Sequence, residues 1–234
     1  MSYINQIKSE LGQYVNPEKA AFFPRFFKTG PGEYGEGDVF IGVTVPHQRK
    51  VARKYFKDID LKELQLLLRD PVHEYRLTAL FVLVYKYEKA REEVKKEIVD
   101  FYLANIRYVN NWDLVDASAD KILGAYLFHK DKKILYDFAN SGSLWEQRIA
   151  IISTFYFIKK NYFQDTLEIA KLLLHHEHDL IHKAVGWMLR EVGKRDLTTE
   201  IDFLQKHYQE MPRTMLRYAI EKFDPELREY FLKK

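Results

Sequence analysis

The sequence has no cysteine, which excludes disulfides, thiolate zinc sites, iron–sulfur clusters and a cysteine nucleophile. Chain breakers are also scarce. Ten glycines and seven prolines in 234 residues leave few turns for a sheet protein and favour long helices with solvated faces. No apolar run approaches the roughly 20 residues needed to span a bilayer; the most hydrophobic stretches are residues 77–85 and 149–158. The opening Met1-Ser-Tyr-Ile-Asn-Gln lacks a basic segment followed by an apolar one, so no secretory signal is expected and a cytoplasmic location is the default. Neither sign of charge dominates. A net charge of +3 permits a nucleic-acid partner without requiring one, and the placement of the charges decides.

What is present is helical periodicity from end to end. Helices are expected to start near Ser2, Pro17, Pro46, Leu61, Val72, Ala90, Trp112, Ala119, Lys130, Ser143, Phe163, Asp179, Asp196, Arg213 and Pro225, with short loops between them. The exception is residues 28–45, which carry Gly30, Gly32, Gly35, Gly37 and Gly42 and break the pattern, as a functional loop would. Helices with similar beginnings align into a repeat. His73-Glu-Tyr-Arg, Leu144-Trp-Glu-Gln-Arg, Leu180-Ile-His-Lys and Pro212-Arg-Thr-Met-Leu-Arg place Arg76, Arg148, Lys183 and Arg217 in register, with Asp113 in the intervening repeat. Consecutive separations are 37, 35, 35 and 34 residues, the spacing of a slightly compacted HEAT-type helix pair. The expected fold is therefore all-α, a single domain over residues 1–234 built as a solenoid of stacked HEAT-like pairs. In such a solenoid the inner helices would turn this row toward one concave surface. A basic row reads either as a ladder of ion pairs between repeats or, taken together, as a wall suited to a polyanion. Arg49, Lys50, Arg53 and Lys54 after Pro46, and Arg190, Lys194 and Arg195 after Trp187, add to it.

Asn110-Asn-Trp-Asp-Leu-Val-Asp puts Trp112 and Asp116 four residues apart, on one helical face, with Asp113 about 100° round from Trp112. An aromatic beside a carboxylate suits a cationic, planar or sugar-like ligand, although a tryptophan on an amphipathic helix is more often core. His178 and His182 have the spacing of a metal pair, near His175 and His176. The pattern fixes no acidic third ligand, so a loop and helix start without metal is the reading. Lys28-Thr-Gly-Pro-Gly-Glu lacks the Gly-Lys-Ser/Thr ending of a nucleotide loop; packing against the N-terminal repeats fits it better.

Four blocks together carry a family resemblance. They are Arg25-Phe-Phe-Lys-Thr-Gly-Pro-Gly-Glu-Tyr-Gly-Glu-Gly-Asp-Val-Phe-Ile-Gly-Val-Thr-Val-Pro, Asn110-Asn-Trp-Asp-Leu-Val-Asp, Trp145-Glu-Gln-Arg-Ile-Ala and Ala184-Val-Gly-Trp-Met-Leu-Arg-Glu-Val-Gly-Lys. In this order, spanning about residues 20–195, the sequence resembles the AlkD family of DNA alkylation repair glycosylases. The resemblance implies a solenoid of HEAT-like repeats whose concave face grips duplex DNA. It also implies excision of N3- and N7-alkylated purines, chiefly 3-methyladenine and 7-methylguanine, by a monofunctional glycosylase of base excision repair. By the same resemblance Asp116 is the catalytic carboxylate, Trp112 and Trp187 the cleft tryptophans and Arg148 the cleft arginine. Arg76, Lys183 and Arg190 join them as expected DNA contacts from the basic row. Gln147 departs from the pattern, standing where a second basic residue is expected.

Such chemistry needs few groups. An N3- or N7-alkylated purine is already cationic and leaves as a neutral base, so no general acid is required, and the charge that builds on the sugar is what a carboxylate would stabilise. The resemblance further implies that the damaged base need not enter a deep pocket, unlike the usual base-flipping scheme. No cofactor or metal is expected, the partner is duplex DNA carrying alkylated purines, and a monomer suffices. Two alternatives of other classes stand beside this one: a member that binds duplex DNA without cleaving it, and a HEAT-type scaffold for an acidic protein.

Overall fold

The computed structural model describes residues 2–233, which are helical apart from connections and one long loop. The chain divides into two compact units, Met1–Ser118 and Ala119–Lys234. The first holds α1 (Tyr3–Gly12), α2 (Pro17–Phe27), α3 (Val45–Tyr55), α4 (Leu61–Leu68), α5 (His73–Lys89), α6 (Glu92–Ala104), a 3-10 turn at Ile106–Tyr108 and α7 (Trp112–Ser118). The second holds a π-helical turn at Asp120–Gly124, then α8 (Ala125–Leu127), α9 (Lys133–Ala139), α10 (Leu144–Ser153), α11 (Phe155–Lys159), α12 (Gln164–Leu172), α13 (Asp179–Gly193), α14 (Leu197–His207), α15 (Arg213–Ala219), a 3-10 turn at Ile220–Lys222 and α16 (Pro225–Leu232).

Polar residues ahead of apolar periodicity act as caps. Ser2, Asn16, Asp60, Ser143, Asp196 and Asp224 each accept the backbone N–H three residues on, at the starts of α1, α2, α4, α10, α14 and α16. This satisfies a donor that a helix start otherwise leaves orphaned. Proline follows the cap in α2 and α16, where its missing N–H costs nothing. The helix expected near Lys130 begins at Lys133, whose N–H is taken by the Asp131 carboxylate at 2.8 Å. The helix from Ser143 stops at Ser153, and α11 follows Thr154, whose hydroxyl donates back to the Ile151 carbonyl at 2.7 Å. The spacing also misses the π-helical turn, in which the Gly124 N–H reaches the Ala119 carbonyl five residues back.

Within the first unit α3 packs on α5 and α5 on α7, with α4 and α6 against α5. Enclosed by four helices, α5 is buried nearly all round, including His73, Glu74 and Arg76. Within the second unit α10 packs on α13 and α13 on α15, with α12 and α14 against α13. Its buried face, Ile181, Ala184, Val185, Met188, Leu189 and Val192, follows the 3.6-residue period. Gly186 sets the closeness of α13 to α15: a Cβ there would lie 2.4 Å from the Met215 carbonyl and 2.5 Å from Tyr218 Cβ. The expected all-α class of stacked helix pairs is thus the observed one, with Arg76 and Asp113 in successive stacked helices of the first unit, and Arg148, Lys183 and Arg217 in those of the second. Among the described residues no helix is long and apolar enough to cross a membrane.

Candidate active site

In the first unit Trp112 opens α7, and half-buried Asp116 follows one turn later. Four residues apart on a helix, they share a face. The indole does not hang free: it stacks on Phe27, with centroids 5.4 Å apart and planes at 13°, and meets the edge of Phe26 at 5.8 Å. Both phenylalanines end α2, so the aromatic wall is assembled from α2 and α7. Phe26 and its neighbour Phe22 remain largely exposed.

Behind this wall lies a buried charge cluster. His73, at the start of α5, is 1% exposed. Its Nδ1 is 2.9 Å from Asp38 of the glycine-rich loop and its Nε2 is 2.8 Å from Asp113 of α7. A neutral imidazole donates from one nitrogen only, whereas the imidazolium donates from both. Burial works against that charge, but the charge and hydrogen bond of Asp113, and then those of Asp38, raise the His73 pKa to about 9. Asp38 is completed by Arg76 at 2.6 Å and by the Asn111 amide at 3.2 Å. Burial pushes its carboxyl up, yet the His73 hydrogen bond and Arg76 hold it below the usual range. The His73 ring packs against Phe40 at 4.8 Å and Phe27 at 4.9 Å, so the cluster and the aromatic wall share Phe27.

The loop is held elsewhere too. The Glu74 carboxylate accepts the N–H groups of Ile41, Gly42 and Val43, and burial raises its pKa. The His73 N–H donates to the Val39 carbonyl at 2.8 Å. Gly42, at φ 79°, lies so close to α2 that a Cβ would sit 2.1 Å from the Asn16 carbonyl. The loop thus packs on the N-terminal helices, as its composition suggests.

The second unit carries Arg148 on α10 and Trp187, Lys183 and Arg190 on α13. Trp187 is half-buried, packs on Phe155 at 5.6 Å and donates its indole N–H to Glu191 at 3.2 Å. Arg148 is only 4% exposed and donates to the Leu180 carbonyl at 2.6 Å, bracing the first turn of α13. Lys183 pairs with Asp179 at 2.6 Å. Arg190 pairs with Glu221. Gln147, which departs from the expected basic residue, meets His176 at 2.9 Å. His176 and His178 accept backbone N–H groups of His178 and Leu180, and His182 bonds the His176 carbonyl. Burial lowers the pKa of His176 and His178. Among the described residues no cluster could hold a metal ion.

The basic row, read as a ladder of pairs or as a wall suited to a polyanion, has three members engaged within the fold. Arg76 is buried against Asp38, Arg148 is buried against a carbonyl, and Lys183 has its acid one turn away. Of the row, Arg217 alone is exposed with no hydrogen bond or ion pair among the described residues. Asp113, the acidic residue at the intervening repeat, is compensated by His73. Sequence reading missed His73, Asp38 and the two α2 phenylalanines, because Asp38 and His73 lie 35 residues apart and no local period links them.

Over residues 7–223 the sequence matches the family described as DNA alkylation repair enzyme. Similar solved structures include the following two. One is a predicted DNA alkylation repair enzyme from Enterococcus faecalis, 17% identical, covering 90% of this chain and 97% of that one at a TM-score of 0.70. The other is AlkD2 from Streptococcus mutans, also 17% identical, covering 92% of this chain and 99% of that one at 0.55. At such identity the likeness shows the fold. No curated protein matches the sequence.

Proposed function

The chain belongs to the DNA alkylation repair enzyme family, and on that premise we propose that it is a monofunctional glycosylase hydrolysing the N-glycosidic bond of N3- and N7-alkylated purines in duplex DNA. The observation that carries this reading is the pairing of an aromatic and a carboxylate, Trp112 and Asp116, on one face of a helix whose first turn is fixed by α2 and α5.

Alkylation leaves the purine cationic. When the bond from C1′ to the base nitrogen breaks, its electron pair goes to the base, which departs neutral, and the positive charge moves to the sugar. Asp116 is the group assigned to that charge, stabilising the oxocarbenium-like transition state more than the ground state. Water then bonds to C1′ and gives up a proton, for which the same carboxylate is the base. Trp112 adds its face to a cationic nucleotide, worth about 0.5–2 kcal/mol, and its stack on Phe27 means little ordering cost on binding. With hydrolysis by water as the proposed step, the proposed product is an abasic site.

Trp187, Lys183 and Arg190 of the second unit are proposed contacts to the duplex. Exchanging the exposed Lys183 ion pair for a phosphate loses little, since exposed pairs contribute about 0–1 kcal/mol, whereas Arg190, its side chain mostly buried, would have to give up Glu221. Arg148 and Arg76 are assigned to bracing, one holding the start of α13 and the other the loop. A cytoplasmic monomer without cofactor is the proposed working form.

The test feeds methylated duplex to the protein and measures free base. Wild type should release 7-methylguanine, and Asp116→Asn should lower the rate by at least about a hundredfold, as removal of one electrostatic stabiliser does elsewhere, while DNA affinity stays within about threefold. DNA affinity should fall steeply as salt rises. Unchanged release by the variant sinks the assignment of Asp116. Binding without release by wild type favours a non-cleaving member, and no binding at low salt favours a protein scaffold.

A further inference from the structure

The cluster behind the aromatic wall joins three segments of the first unit. Asp38 belongs to the glycine-rich loop, His73 to α5 and Asp113 to α7. We propose that His73 is a positioning residue for the reaction: an imidazolium held between Asp38 and Asp113, it fixes the first turn of α7 and with it the stance of Trp112 and Asp116.

Contacts around the start of α7 support this. The Asp113 carboxylate meets His73 Nε2 at 2.8 Å. Asn111 donates to Asp38 at 3.2 Å and accepts the Trp112 N–H at 2.8 Å. Trp112 itself lies on Phe27, which also packs on the His73 ring. The residue that carries the indole is thus tied through its successor to His73 and through its predecessor to the loop. Asp113 Oδ1 is buried with no hydrogen-bond partner, so this carboxylate depends on its one contact to His73.

Charge explains why a histidine is needed at this point. The ionisable groups facing His73 are Asp38 from the loop, Asp113 from α7, and Glu74 and Arg76 from α5. Arg76 reaches Asp38 and Glu74 is occupied by the loop N–H groups, which leaves His73 as the counter-charge of Asp113. Without it a buried carboxylate would be unpaired, a state that is strongly disfavoured and relieved by protonation or by movement of the helix end. Movement of α7 by about 1 Å at that end would misplace Asp116 enough to cost up to about a hundredfold in rate.

Only the activity arm of the test rests on the glycosylase reading. His73→Gln, Asp113→Asn and the double variant are compared with wild type as full chains. Two readouts are taken: single-turnover release of 7-methylguanine against DNA affinity at fixed salt, and Trp112 fluorescence in a background with Trp145→Phe and Trp187→Phe. Each single variant should slow release by about tenfold or more and change affinity by less than about threefold. The double variant should be no slower than the slower single, since both remove one linkage. Trp112 emission should shift alike in both. Wild-type release by His73→Gln, rate losses that multiply in the double variant, or unmoved emission overturns the proposal. If wild type itself releases no base, the glycosylase reading fails and the emission arm alone decides on the clamp. If His73→Gln does not fold, Asp113→Asn, which keeps the shape of the side chain, carries both arms.

Discussion

The cluster predicts that folding stability falls as the pH rises through neutral into mildly alkaline solution, and that one substitution removes most of the slope. His73 has an ordinary value of 6.5 and is raised to about 9 in the fold by Asp113 and Asp38. A group whose folded pKa lies above its unfolded one stabilises fully below the unfolded value, here about 6.5, and the contribution is lost as the pH climbs through about 9. A shift of about 2.5 units at about 1.36 kcal/mol each amounts to about 3 kcal/mol, a sizeable share of the roughly 5–15 kcal/mol that stabilises a domain. Urea denaturation of wild type and His73→Gln from about pH 6 to about pH 10 reads it, because the titrating groups remote from the cluster are common to both and drop out of the difference. The stability advantage of wild type should shrink by about 3 kcal/mol across that range. Parallel curves would refute the reasoning, since they would mean that His73 gains no proton affinity on folding and is not an imidazolium between two carboxylates.

Two further substitutions test the packing of the second unit. Glu200 is 1% exposed, and burial pushes its carboxyl up to about 8 against the pull of Arg190; with the folded value above the ordinary 4.5, the carboxyl costs stability as the pH rises from there through about 8. Glu200→Gln should therefore raise stability by about 1–3 kcal/mol at about pH 8 and change little at about pH 4, measured by urea denaturation at both. Gly186→Ala should destabilise by about 1–3 kcal/mol by forcing α13 from α15, whereas Gly12→Ala, where a Cβ meets nothing within 4 Å, should not; thermal melts of both decide.

Helix positions were legible in the sequence because they depend on local signals: apolar period, a capping side chain, a proline at the first turn. All of these act within four residues. The repeat was legible as well, since stacked inner helices need matching faces, and the aligned positions do fall in successive packed helices of each unit. The Trp112 and Asp116 pairing was readable for the same reason, as two positions on one helix. Contacts that bring distant segments together were not. Phe26 and Phe27 become the backing of Trp112 only because α2 packs near α7, and Asp38 becomes a ligand of His73 only because Glu74 and Arg76 bind the loop to α5. The glycines of residues 28–45 announced a loop but said nothing of its anchor points. The break at Thr154 and the π-helical turn at Asp120–Gly124 were not legible either, since neither is marked by proline, and Ser153, Thr154, Asp120 and Lys121 are of polar types that also occur within unbroken helices.

One repeat position, read as a row of like charges, turns out to hold several different solutions to one local problem. In a stack of helix pairs the first turn of an inner helix lies beside the connection of a neighbouring pair, where carbonyls and carboxylates are left without partners. Arg76 answers with Asp38, while its other terminal nitrogen is at 3.5 Å from the Asp70 carbonyl. Arg148 answers with the Leu180 carbonyl, in the first turn of the next inner helix. Lys183 pairs within its own turn with Asp179, whose carboxyl is pushed up by burial but held below its ordinary range by that hydrogen bond. Where the position is acidic, at Asp113, the partner must be a cation, and His73 supplies it. The side chains that look like a polyanion grip are therefore largely spent on the architecture, Arg217 excepted; on the proposed function, attraction of DNA comes from Arg217, from groups outside the row or from ion pairs exposed enough to exchange. Asp113 and Asp116 then part ways on physical grounds: the first is the anchor of α7, compensated by a buried imidazolium, and the second, one turn nearer the helix C-terminus on the face of Trp112, is the carboxylate assigned to the sugar.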